Sequence, residues 1–311
     1  MIEVGGTSID KKLMSSIIAK IKRRINRVWP CSVKQAEDIA EQLKDLRNLM
    51  IYNHPIAGVQ KAVGKLRLLQ EGNIAFLKLF ARKTESIGVK FWLDYGTLLG
   101  AVRHKGFIPW DDDLDISMTR ADYEKLIEKL PVLFPVEEGF KWKIFAFLQI
   151  TVEGTPLQID VYPYHFHTEP FSLENKEKIE KGMTAIKRKV CLRDGKMNFT
   201  DEEMQQMIEK EIPGGTTKSD KGEPALFLTP AITFTKNTVL PYSDIYPLKK
   251  MTFEDAEYWV PNHARQYLQF MFGDYMTYPP KVGYQHPEAE EMVKKVPFET
   301  AVNRFIDKYG E

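Results

Sequence analysis

The chain has 311 residues, 43% hydrophobic and 28% charged, with a formal net charge of +1 and two cysteines. This is the composition of a globular protein with one large domain or a domain plus an appendage. Neutral overall charge argues against nucleic acid as the partner, and two cysteines are too few for a disulfide framework or a cysteine-rich zinc site. The opening MIEVGGTSIDKK lacks a basic-then-apolar leader pattern, and no run reaches the ~18 apolar residues of a spanning helix, so a reducing cytosolic setting is expected.

Residues 10–29 form a basic amphipathic segment, with Ile17, Ile18, Ile21, Ile25 and Val28 on one face and Lys20, Lys22, Arg23, Arg24 and Arg27 largely off it. Two readings stand: a helix touching an anionic membrane surface, at the inner face, or a helix packed on its own domain with a solvated basic rim. Ser32-Val33-Lys34-Gln35 is a capping-box pattern starting a second helix, with Ile39, Leu43, Leu46 and Met50 as its apolar stripe. A long helix over 59–87 follows, with a break expected at Gly72-Asn73 and a C-cap at Gly88. Residues 1–88 are thus predicted to be a helical N-terminal region, leading into a catalytic domain over 89–311.

The stretch FWLDYGTLLGAVRHKGFIPWDDDLDISM, Phe91 to Met118, is the most informative of the chain. Val89, Phe91 and Leu93 alternate as a half-buried strand does. Gly96-Thr97 breaks that strand, and Leu98, Leu99 and Val102 then follow at helical spacing until Lys105-Gly106. A Gly-Thr turn opening a helix offers free N–H groups and a hydroxyl to phosphate. Beyond Pro109-Trp110 the chain reads as a strand, with Asp111, Asp113 and Asp115 on one face and Leu114, Ile116 and Met118 on the other. Carboxylates so close raise one another's pKa unless a cation neutralises them. Oxygen-only ligands suit Mg²⁺ or Mn²⁺. A calcium loop fails on spacing, because Ile116 stands where such a loop needs Gly and Asp122 where it takes Glu.

Thr119 to Asp122 caps a helix carrying Tyr123, Leu126, Ile127 and Leu130, which Pro131 is expected to end. Residues 140–152 read as a strand. In the strand Leu157 to Tyr162, Leu157, Ile159 and Val161 alternate with Gln158, Asp160 and Tyr162, and an Asp flanked by Ile and Val is costly unless paired or metal-bound. Residues 172–212 read as helical, with Thr200 capping one helix, and 213–218 as a loop. Residues 225–235 read as a strand and 297–309 as a final helix. Lys249 and Lys250 face either phosphate or solvent.

The run YGTLLGAVRHKGFIPWDDDLDI, Tyr95 to Ile116, resembles the signature of the LicD family. That family includes bacterial phosphocholine transferases and is related to the fukutin-type ribitol-phosphate transferases. Its members resemble the polymerase-β-like nucleotidyltransferases, with a Gly-Ser/Thr turn, a later Asp-x-Asp and a third carboxylate on a neighbouring strand. The resemblance covers Phe91 to Tyr164, with a weaker echo from Tyr246 to Pro287. It implies an α/β (α+β) fold: a nucleotidyltransferase-like mixed sheet flanked by helices.

It also implies metal ligation and catalysis by Asp113, Asp115 and Asp160, with Mg²⁺ or Mn²⁺ as cofactor. Gly96, Thr97, Arg103 and Lys105 are the candidates for phosphate binding, and Asp111, Asp112 and His104 for support around them. The implied activity is transfer of a phospho-alcohol group, foremost phosphocholine from CDP-choline, to a hydroxyl of a cell-surface glycan or its lipid-linked precursor, releasing CMP. Trp92, Tyr95, Trp110, Tyr162 and Tyr164 supply aromatic faces of the kind a quaternary ammonium seeks, or serve as core and rim. Two other classes remain: a nucleotidyltransferase that attaches a whole nucleotide, and a non-catalytic partner subunit retaining the fold.

Overall fold

A computed structural model describes residues 2–4, 7–9, 42, 55–191, 199–214, 224–229, 236–279, 286–295 and 297–310. The segments at 10–29 and 32–50 lie outside the described residues, apart from 42, as do most of the loop at 213–218 and the end of the strand expected over 225–235. Contacts divide the chain into Met1–Ile56 and Ala57–Glu311. Within the first unit, β1 (Ile2–Val4) and β2 (Thr7–Ile9) pair antiparallel.

The second unit is a mixed sheet flanked by helices, as the family resemblance implies. Helix α1 (Gly64–Glu85) leads in. It runs unbroken through Gly72-Asn73, where sequence predicts an interruption. The reason is packing: a Cβ at Gly72 would meet Leu157 Cδ2 at 2.6 Å and Val302 Cγ1 at 2.7 Å. Close approach to the sheet and to the C-terminal helix outweighs the ~1 kcal/mol that Gly costs inside a helix. Phe76 and Phe80 of α1 are fully buried against Phe134, Phe140, Phe91 and Phe305. Each such ring contributes about 1.5–3 kcal/mol through burial alone.

Strand β3 (Phe91–Leu93) is buried on both faces, with Trp92 inaccessible, so it is a core strand where alternation suggests a half-buried one. Helix α2 (Tyr95–His104), strand β4 (Leu114–Thr119) and helix α3 (Arg120–Leu133) follow. Thr119 caps α3 by accepting the Asp122 N–H at 3.2 Å, and the helix continues past Pro131 to Leu133. The single strand expected over 140–152 is a hairpin, β5 (Phe140–Ile144) and β6 (Leu148–Val152), turned at Phe145–Phe147. Strand β7 (Gln158–Pro170) is the sheet's longest and pairs with β4, β6 and β8.

Helices α4 (Leu173–Cys191) and α5 (Asp201–Glu211) come next, the latter with a complete Thr200–Glu203 capping box. Strands β8 (Pro224–Leu228) and β9 (Val239–Pro241) close the sheet, whose path is β3-β4-β7-β6-β5 with β8 on β7 and β9 on β8. A short helix α6 (Tyr242–Ile245), the hairpin β10 (Lys249–Phe253) and β11 (Ala256–Val260), and helices α7 (Ala264–Phe272), α8 (Pro287–Val293) and α9 (Phe298–Tyr309) complete the unit. Within it, α9 packs along α1. Lys249 and Lys250 sit exposed on β10, one donating to the Asn262 carbonyl and the other 4.1 Å over the Trp259 ring. Among the described residues no helix is long and apolar enough to cross a membrane.

Candidate active site

Strand β4 begins at Leu114, so Asp111, Asp112 and Asp113 lie in the loop before it, where sequence alternation extends the strand through them. A loop without ladder hydrogen bonds needs other partners for its backbone. Helix α1 supplies them through two buried amides. Gln70 Nε2 donates to the carbonyls of Ile108 (3.2 Å) and Asp111 (3.0 Å), and Asn73 Nδ2 donates to the carbonyl of Asp112 (3.0 Å). Asn73 Oδ1 also accepts the N–H of Gln158 on β7, at 3.3 Å. One helix thereby fixes the acidic loop relative to the strand that carries the third carboxylate.

Register does the rest. Strands β4 and β7 are parallel, and Asp115 lies directly beside Asp160. Asp113, Asp115 and Asp160 each place a carboxylate oxygen within 4.8 Å of the others. Asp160 accepts hydrogen bonds from Gln149 on β6 and from Gln158, both at 3.2 Å, and Asp115 accepts one from the Tyr162 hydroxyl at 3.2 Å.

The turn between β3 and α2 is built on Asp94, a buried carboxylate that accepts from the N–H of Tyr95 (2.7 Å), the Tyr267 hydroxyl (2.6 Å) and the Ser117 hydroxyl (2.5 Å). Burial raises its pKa to about 6, against the opposing pull of these hydrogen bonds. The residue with left-handed backbone is Tyr95 (φ 40°), not Gly96, a strained conformation of the kind that clusters at functional sites. Gly96 is needed for close approach instead. Its N–H donates to Asp115 Oδ2 at 3.2 Å, and a Cβ there would lie 2.8 Å from Asp111 Oδ2. The Thr97 hydroxyl accepts the N–H of Asp115 at 2.8 Å, so it orients the carboxylate strand.

These groups open on a cleft of about 830 Å³. Asp111, Asp113, Asp115, Asp160, Gly96 and Arg103 line it, together with Tyr95, Trp110 and Tyr162. Its far wall comes from Phe272, Tyr275, Tyr278 and His286, with Trp110 stacked on Tyr278 at 6.2 Å between ring centres. Arg103 is held by the Tyr275 carbonyl and by His104 Nε2, the latter at 2.9 Å. Accepting that bond requires a neutral His104, and burial followed by the Arg103 charge pushes its pKa down to about 4. His104 thus steadies Arg103 and is not among the cleft-lining residues. Lys105 is exposed with left-handed backbone (φ 57°) and does not line the cleft either. Trp92 and Tyr164 are core, packed on each other at 5.5 Å.

His286 is the site residue that sequence reasoning missed. Its N–H and Nδ1 both meet the buried Asp112 carboxylate, at 3.1 and 2.9 Å, and its Nε2 lies 3.7 Å from Asp113 Oδ2. The hydrogen bond to Asp112, opposed by burial and reinforced by the Asp113 charge, raises its pKa to about 9. His286 lies at the end of the weaker family echo, in a His-Pro pair before a short helix, 174 residues from Asp112.

Electrostatically the cluster is under tension. Burial, then repulsion from Asp111, raises the pKa of Asp113 well above the carboxylate range; burial, then Asp113, does the same to Asp115. Asp111 moves in the same direction, chiefly through burial and then Asp115. Burial raises Asp160 to about 6, opposed first by the Gln149 hydrogen bond. Such a set either takes up protons or is neutralised by a cation, and its all-oxygen donors fit a hard divalent ion.

Residues 88–208 match the family described as LicD/FKTN/FKRP, nucleotidyltransferase domain. The chain is 46% identical over 52 residues to lipopolysaccharide cholinephosphotransferase LicD of Haemophilus influenzae, covering 17% of this chain and 20% of that protein. It is 34% identical over 88 residues to human ribitol 5-phosphate transferase FKRP, covering 26% and 18% respectively. Against mouse ribitol-5-phosphate transferase FKTN it is 28% identical over 92 residues, covering 29% and 20%. The chain thus spans about a fifth of the length of these curated relatives. The matched segment contains the strained turn, Gly96, the acidic loop and Asp160, and over residues 88–208 the chain is similar to the nucleotidyltransferase domain of the LicD/FKTN/FKRP family.

Proposed function

We propose that the chain is a metal-dependent transferase that moves a phospho-alcohol group, foremost phosphocholine, from a CDP-linked donor to a hydroxyl of a cell-surface glycan or its lipid-linked precursor. The observation that carries this reading is the convergence of Asp113, Asp115 and Asp160 on one cleft beside the Gly96 N–H, within a domain shared with two kinds of phospho-alcohol transferase.

In the reaction the acceptor oxygen bonds to the phosphorus that bears the alcohol. The bond from that phosphorus to the bridging oxygen breaks, and CMP leaves with that oxygen. Asp113, Asp115 and Asp160 would hold Mg²⁺ or Mn²⁺, which supplies neutralisation of the charge on the phosphate oxygens when bound. Asp160, which lines the same cleft, would also accept the proton of the attacking hydroxyl. Arg103, pinned through the Tyr275 carbonyl and His104, presents a guanidinium to the cleft for phosphate oxygens. Gly96 keeps backbone in reach of the diphosphate at the start of α2. Tyr95, Trp110 and Tyr162 offer faces to a quaternary ammonium or a base.

The test is a donor panel: purified protein with CDP-choline, CDP-ribitol, CDP-glycerol, CTP and ATP, each with Mg²⁺ or with EDTA. Metal-dependent binding and slow release of CMP from one CDP-alcohol supports the proposal and names the alcohol. The family's description as a nucleotidyltransferase domain favours one second reading, attack on a nucleoside triphosphate with transfer of the nucleotide; a product heavier by a nucleotide would establish it and refute the first. Absence of metal-dependent turnover with every donor, acceptor glycans included, would point to a non-catalytic subunit.

A further inference from the structure

We propose that His286 and Asp113 form a second cation seat beside the three-carboxylate one, with Asp112 as the outer carboxylate that orients the imidazole. The inference rests on the proposed metal-dependent chemistry and adds a nitrogen ligand to it, from a part of the chain outside the matched family segment.

Three observations carry it. The first is the tether. Asp112 is buried, yet both its oxygens are engaged by His286: Oδ2 accepts the backbone N–H at 3.1 Å and Oδ1 meets Nδ1 at 2.9 Å. A carboxylate on one ring nitrogen fixes the ring and leaves the other nitrogen directed outward, the arrangement that metal-bound histidines adopt. Since both Asp112 oxygens face His286, Asp112 acts as a positioning residue and not as a ligand.

The second is the gap. Nε2 of His286 stands 3.7 Å from Asp113 Oδ2, too long for a hydrogen bond. A cation about 2.1 Å from a nitrogen and an oxygen spans roughly 3.4–4 Å between them at tetrahedral or wider angles. The separation is that of two ligands sharing an ion.

The third is the position of Asp113. It belongs to both groups of possible ligands, Asp113–Asp115–Asp160 and Asp112–Asp113–His286, so this one carboxylate would serve both seats. Paired cations with a shared carboxylate suit an in-line displacement at phosphorus. An imidazole ligand shifts the preference of the second seat from Mg²⁺ toward Mn²⁺ or another transition metal.

The experiment uses the full chain, stripped with EDTA and titrated with Mn²⁺, with and without CMP. Electron paramagnetic resonance counts bound ions, and electron spin-echo modulation detects ¹⁴N coupling to them. The expected result is two Mn²⁺ per chain, one coupled to ¹⁴N. His286→Gln loses one ion and the ¹⁴N coupling while keeping its melting temperature. Asp112→Asn weakens that ion by roughly 10–100-fold and spares the other. Asp115→Asn weakens the other ion and retains the ¹⁴N coupling.

Wild-type protein without ¹⁴N coupling in either condition overturns the inference, as does a His286→Gln variant with unchanged stoichiometry and affinity. In both cases Mn²⁺ binding that Asp115→Asn abolishes leaves the proposed function standing. Failure of wild-type protein to bind any Mn²⁺, with or without CMP, overturns both.

Discussion

Asp113→Asn should abolish turnover and yet stabilise the metal-free protein. Asp113 is 8% exposed, and its carboxylate oxygen lies within 4.8 Å of those of Asp115 and Asp160. At an effective dielectric of about 20, two unit charges at that separation repel by roughly 3.5 kcal/mol. Protonation offers an escape, at about 1.4 kcal/mol for each pH unit above the unfolded pKa of about 3.9, or roughly 4 kcal/mol at pH 7. The two routes cost nearly the same.

The sign follows from the raised pKa. In wild-type protein the favourable contribution of this carboxyl is complete below about pH 4, and it is lost as pH rises through the elevated folded value. Asn does not titrate. The stability difference is therefore near zero at pH 4 and grows toward neutrality. The lost attraction to His286 offsets only part of it, because Asp112 still holds that ring. We expect a gain of roughly 3 kcal/mol at pH 7.5, or about 6–12 °C in melting temperature for a domain of this size. The assay is thermal denaturation in EDTA from pH 4 to 8. Mg²⁺ or Mn²⁺ should then reverse the order, since only wild-type protein keeps the full ligand set. An Asp113→Asn variant that melts below wild type in EDTA at every pH would refute this electrostatic account.

Other perturbations probe the scaffold of the site. Asp115→Asn should lower turnover by several orders of magnitude with the fold intact by circular dichroism; near-normal turnover by the folded variant would sink the catalytic assignment. Gly96→Ala places a Cβ 2.8 Å from Asp111 Oδ2 and 3.4 Å from Asp115 Oδ2, so divalent-cation affinity measured by calorimetry should fall at least about tenfold while melting changes little. Thr97→Val removes the acceptor for the half-buried Asp115 N–H; the unsatisfied group should cost about 1 kcal/mol in urea denaturation and weaken cation binding as well. Asn73→Ala strips partners from the Asp112 carbonyl and the Gln158 N–H, and should destabilise by about 2–4 kcal/mol; an unchanged urea midpoint would show that α1 does not hold the acidic loop.

Local chemistry made much of this protein legible from sequence. The succession of strands and helices, the Thr119 and Thr200 caps and the Leu114-Ile116-Met118 core face follow from periodicity and capping residues, which act over a few positions, while the mixed sheet is what the family resemblance implied. Asp113, Asp115 and Asp160 could be singled out because charge beside alternating apolar residues is costly wherever it occurs. What the local pattern could not reveal was each group's partner. Alternation drew Asp111 and Asp113 into a strand, whereas Gln70 and Asn73 of α1 bind the carbonyls of Asp111 and Asp112 and hold this segment as a loop. Arg103 and His104 are neighbours in sequence, but burial makes one a wall of the cleft and the other its support. Gly72 looks like a helix break until Leu157 and Val302 close on it. The aromatic wall from Phe272 to Tyr278, and His286 above all, reach the carboxylates only through packing across more than 100 residues of chain. Sequence determined which residues were costly to bury; tertiary structure decided which of them meet, because convergence depends on strand register and helix packing that no short-range pattern encodes.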